Sequence, residues 1–158
     1  MSTSPTPDDR SHEEALAAKL RALLKVCHEA EQGYRVAASE PSGAERRALF
    51  LHYAEERAAF GHELGAELAR LLGADEGAGA ALASSAPRPV PSGDEHAAVA
   101  CCARLEGDAI KAYEDALGDR LPPGLEPLLR RQYAAVKEAY DVMSHLRGDR
   151  GPTSRPPP

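Results

Sequence analysis

Three glutamates and a tyrosine are the side chains of this sequence best placed to do chemistry. Glu106 lies in the run CARLEGDAIKAYEDAL. There Val99, Cys102, Glu106, Ala109, Ile110, Tyr113 and Leu117 form one continuous face at helical spacing. Every other member of that face is apolar or aromatic. A carboxylate in such a stripe costs several kcal/mol unless it is neutralised or paired. Glu31 lies at the edge of a second stripe, Leu16, Leu20, Leu23, Cys27, Ala30, Tyr34 and Ala38. Glu56 flanks a third, with His52 one turn before it. Tyr140 lies on a fourth, with Leu125, Leu129, Gln132, Val136 and Met143. Carboxylates that converge in a low-dielectric interior repel one another. They must share protons, meet an arginine or bind a cation. Arg57 is the only basic residue close enough to a buried stripe to serve.

These stripes belong to four expected helices, at about 11–39, 43–72, 94–117 and 123–147. S-x-x-E capping boxes at Ser11/Glu14, Ser42/Glu45 and Ser92/Glu95 mark the first three starts, with Asp94 as an alternative cap for the third. Gly73 and Gly118 mark two ends. The links are short, long, short. The long one, residues 73–93, is rich in Gly, Ala, Ser and Pro. At about 3.3 Å per residue it can travel the ~40 Å of a bundle. Short links join antiparallel neighbours, and a long one lets the second and third helices run parallel. The expected fold is therefore all-α, a ferritin-like four-helix bundle with one crossover between helices 2 and 3. Residues 1–10 and 149–158, polar and Pro-rich, are expected to be disordered tails.

In such a bundle the rise of ~1.5 Å per residue brings Glu31, Glu56, Glu106 and Tyr140 within roughly 10 Å of one level. A carboxylate site for iron, manganese or zinc is one reading, with Glu31, Glu56 and Glu106 as ligands and Tyr140 and His52 behind them. No glutamate is followed three residues later by His, so the Glu-x-x-His pairs of a full di-metal site are missing. The other reading binds no cofactor and holds the acids in a protonated or Arg-paired polar network, where Glu106→Gln or Glu106→Leu is tolerated. Cys27 and Cys102 each precede an acid by four residues and point inward. Cys101, His28 and Glu29 are expected to point outward.

Composition excludes several classes. The chain has 158 residues, a net charge of −6, 4% aromatic residues and no Trp. This suits one helical core. No Lys/Arg run with interleaved aromatics suggests nucleic-acid binding. No stretch of 18 apolar residues suggests a membrane span. Three cysteines make no disulfide framework, and the N-terminus lacks a signal-peptide pattern, so the cytoplasm is the expected compartment. No nucleophilic triad or phosphate loop supports an enzyme. An acidic, alanine-rich surface suits a monomer, a homodimer or a protein partner.

The runs HEAEQGYRVAA, LFLHYAEERAAFGHELGAELARLLGA and EGDAIKAYEDALGDRLPPGLEPLLRRQYAAVKEAYD carry a resemblance across about residues 15–147. With the pieces E-E-R-x-x-F-x-x-E-L and L-x-x-Q-Y-x-x-V-K, the chain resembles the bacterial domain-of-unknown-function family 2383, whose members are ferritin-like four-helix-bundle proteins. The resemblance implies that fold and a bacterial cytoplasmic setting, and not an activity. It aligns Glu31, Glu56 and Glu106 with acids typical of the family. It sets Tyr140-Asp141 where the family commonly has His-Asp, and the Ala/Pro/Ser stretch where the family has a Trp-containing helix.

Overall fold

The computed structural model describes residues 6–40, 43–73 and 94–148. These form α1 (Pro7–Ser39), α2 (Ala44–Leu72), α3 (Glu95–Leu117) and α4 (Leu125–Leu146), and the described residues contain no strand. No described helix is long and apolar enough to cross a membrane.

The first helix begins earlier than the Ser11 box implies, so residues 7–10 are helical, though exposed, and not a disordered tail. Thr6 is the cap: its hydroxyl accepts from the Asp9 amide at 3.2 Å, and its own amide donates to Asp9 at 3.3 Å. Pro7 presets the first helical φ, and Asp8 and Asp9 face the positive end of the helix dipole. Ser11 and Glu14 then fall inside the helix. α2 starts at Ala44 on Gly43, which offers no side-chain cap. α3 uses Asp94, whose carboxylate accepts from the His96 amide at 2.9 Å. Gly73 ends α2 at φ +65°, a left-handed conformation that glycine adopts freely. Ser42, Ser92, the crossover segment 74–93 and the tails 1–5 and 149–158 lie outside the described residues.

Contacts give the helix directions. Lys19 pairs with Asp115 and Asp119, while Cys27 meets Tyr113 and Gly33 faces Cys102 and Leu105. Numbers rise on α1 as they fall on α3, so the two are antiparallel. Tyr113 meets Gln132 and Tyr140 lies on Gly107, so α3 and α4 are antiparallel as well. α2 and α3 run parallel: Arg46 pairs with Glu95, and Arg57 with Glu106. Their backbones do not touch. α1 lies between α2 and α3, and α4 packs on α3 and grazes α2. α2 and α3 therefore face each other across the diagonal.

Buried positions recur at alternating steps of four and three. α1 buries Leu16, Leu20, Leu23, Cys27, Ala30, Tyr34 and Ala37. α4 buries Leu125, Leu129, Gln132, Val136, Ala139 and Met143. This is the spacing of helices packed at a shallow angle. The core falls into two apolar clusters. One gathers around Leu20, Leu64, Leu68, Tyr113 and Leu129, the other around Tyr34, Phe50, Val99 and Met143.

Candidate functional site

Between the two clusters lies a layer of polar side chains, and its centre is Arg57. α2 carries Arg57 at a core position between Tyr53 and Phe60, and α3 carries Glu106 between Cys102 and Ala109. Both side chains are completely buried. The guanidinium reaches across the bundle diagonal and grips the carboxylate with two prongs. Nε donates to Oε1 at 3.0 Å and Nη2 donates to Oε2. Nη1 donates to Glu56 at 2.7 Å, and the guanidinium carbon lies 5.1 Å from the Phe60 ring centre. Arg57 thus joins two of the three acids.

The electrostatics follow from this geometry. Burial pushes the Glu106 carboxyl upward, and the bonds from Arg57 pull it back down only in part. Burial also disfavours the charge on Arg57, but the bonds to Glu106 more than reverse this. The Tyr34 hydroxyl on α1 is fully buried and makes no hydrogen bond.

A second polar chain runs one to two turns away. Cys27 Sγ lies 3.4 Å from the Tyr113 hydroxyl, which donates to Gln132 Oε1 at 2.8 Å. Gln132 Nε2 donates to Glu63 at 3.2 Å, and Arg131 donates to the other oxygen of Glu63 at the surface. Burial pushes the Cys27 thiol up to about 11, against a lowering by the Tyr113 bond. Burial likewise raises Tyr34, Tyr113 and Cys102. These groups favour their protonated forms at neutral pH.

The expected ligand set separates. Glu56 and Glu106 meet through Arg57, whereas Glu31 is half-buried and pairs with Arg35. Glu31 and Arg57 do line one cleft of about 350 Å³ between α1 and α2, together with His28 and His62. His52 is exposed, its ring 5.5 Å from the Tyr53 ring. Tyr140 is not beside Glu106. Its ring covers Gly107 on the outer side of α3. The physical reason is register: the four-three spacing of α4 puts Ala139 in the core, and Tyr140 follows it a hundred degrees round the helix. Among the described residues, no three His, Cys, Asp or Glu side chains converge as metal ligands would.

Cys101 and Glu29, expected outside, are buried. α1 and α3 each pack against two neighbours, so their buried arcs are wider than one stripe. Arg104 covers Cys101, 3.4 Å from its sulfur. The residues missed by sequence reasoning are Tyr34, Tyr113 and Gln132 as polar partners. Arg57 was legible as a partner but not as the centre. The signal for it is its register: 53, 57, 60 and 64 continue the core spacing of α2 straight through an arginine.

No family model matches the chain, and comparison with curated proteins finds no match.

Two outcomes follow from the layer. Because Arg57 is sealed, Glu106→Leu strands a buried guanidinium and is no longer expected to be tolerated. Either single change, Arg57→Met or Glu106→Leu, is expected to cost about 3–5 kcal/mol, and the double change to restore most of that. Urea unfolding of the four proteins measures the cycle, and additive losses would sink the pairing. The second outcome concerns alkali. Cys27 has a folded pKa near 11 against an ordinary 9.0. A raised value gives stability that is complete below 9 and is lost as pH rises through the folded value. For Cys27 this amounts to about 2–3 kcal/mol, with Cys102, Tyr34 and Tyr113 acting in the same direction. The urea midpoint should fall steeply between pH 9 and 11, and a flat profile there contradicts the assignment.

Proposed function

We propose that this chain is a ferritin-like helical bundle of the kind seen in domain-of-unknown-function family 2383, and that it works by association, with itself or a protein partner, and not by catalysis. The observation that carries this reading is the Arg57 fork. A carboxylate cluster in a bundle core attracts a cation, and here a side chain of the protein supplies the positive charge. Glu106 spends both oxygens on Arg57 and has little left to give a metal. The parallel course of α2 and α3 supports the ferritin-like part. It sets the end of one helix and the start of the next at opposite ends of the bundle, which calls for a long connection.

The competing reading is a carboxylate site drawn from Glu31, Glu56 and Glu106, loaded with iron, manganese or zinc for storage or redox work. It requires Arg57 to leave Glu106 and Glu31 to leave Arg35. Elemental analysis of protein purified without chelators separates the two. The association reading expects less than a tenth of a metal ion per chain, and no thermal shift on adding iron(II), manganese or zinc. One or two ions per chain, with a lower melting temperature on chelation, would overturn it.

A further inference from the structure

The cleft of about 350 Å³ between α1 and α2 has a lining at odds with the charge of the chain. The net charge is −6, yet of the five charged or imidazole side chains that line this cleft only Glu31 is an acid. Its charge is already answered. Arg35 donates from both Nε and Nη2 to Oε2 of Glu31, at 3.0 and 2.9 Å. The other three, Arg57, His28 and His62, can all act as hydrogen-bond donors to a guest.

Arg57 is where the cleft meets the buried layer. A guanidinium has five N–H groups. Two go to Glu106 and one to Glu56. One on Nη1 and one on Nη2 are left, on a side chain that is completely buried. A buried donor without an acceptor is costly. His28 is half-buried and His62 exposed, and among the described residues neither has a hydrogen-bond partner. The space in front of these donors is kept by a glycine. Gly61 lies inside α2, one turn after Arg57, where glycine is costly compared with alanine. No close neighbour requires it, since a Cβ at Gly61 would meet nothing within 4 Å. A long side chain there would occupy the cleft.

We infer that the α1/α2 cleft binds a small oxyanion, a phosphate or carboxylate compound, through the two unspent N–H groups of Arg57 and the imidazoles of His28 and His62. Oxyanions accept N–H donors in pairs, which suits a guanidinium. A volume of about 350 Å³ is near the lower end for small-molecule sites, so the guest is compact. A divalent cation would meet two guanidinium groups and one carboxylate already in use. The site stands apart from the association proposed above and does not depend on it.

Inorganic phosphate and succinate, each titrated in place of chloride at constant ionic strength and neutral pH, test the site by NMR of the imidazoles. The signals of His28 and His62 are expected to shift and saturate. Those of His52 and His96, outside the cleft, are expected to stay in place. Saturation separates a site from the general stabilisation that phosphate gives to proteins. Gly61→Met fills the cleft and should weaken binding more than about tenfold, with helicity kept. If helicity is lost, His28→Ala combined with His62→Ala, read by calorimetry, takes its place and should weaken binding likewise. Glu31→Gln removes the one acid and should tighten binding about twofold or more. Saturation by one of the two anions assigns the class of guest. Shifts that never saturate with either anion overturn the site, and so does binding that survives Gly61→Met unchanged. A Glu31→Gln variant that binds less tightly also overturns it, because that is the behaviour of a cation site.

Discussion

The bundle depends on the contact between Arg57 and Glu106. Each is buried away from the surface, and each is tolerable there because of the other. Their value is less in net stability than in what they forbid. A shift of α2 against α3 by one turn would leave two bare charges in an apolar core. A helix pair held only by leucines and alanines tolerates such a slip far better. The fork therefore fixes the register of two helices whose backbones never touch.

The same contact divides the interior. Apolar clusters occupy either side of it, and a second polar chain from Cys27 of α1 through Tyr113 of α3 to Gln132 of α4 crosses one of those clusters one to two turns away. Most of these polar groups find a partner. Tyr34 is the exception, with a buried hydroxyl left without a hydrogen bond beside the carboxylate. Its ring packs on Tyr53, 5.2 Å away. Small side chains complete the arrangement. At Gly33 α1 passes so near α3 that an added Cβ would lie 2.9 Å from Leu105.

Much of this was legible in the sequence. The stripe of α1 from Leu16 to Ala38 is buried as read, as is the core of α4 except at one position. Glu106 stood out because it interrupts an apolar run, and the need for a counter-charge followed from that alone. Other features were hidden for identifiable reasons. Tyr140 and Ala139 differ by one residue, and only the packing of α4 against α3 decides which faces inward. Arg57 was legible as the counter-charge, but its central place follows only from its spacing from Tyr53 and Phe60, which is that of a core residue. The start of α1 is misplaced by its Ser11 signal because S-x-x-E occurs by chance inside helices, while Thr6-Pro7-x-Asp9 carries the real box. The burial of Cys101 reflects neighbours that no single-helix pattern reveals.

The fork also bears on the order in which the molecule assembles. Its two residues are 49 positions apart, whereas short links join α1 to α2 and α3 to α4. Each helical hairpin closes a small loop and loses little chain entropy in doing so; bringing α2 to α3 closes a far larger one. The hairpins are thus the natural early units, and Arg57 can reach Glu106 only when they dock. A charge pair so placed closes only in the alignment that brings both partners to one level.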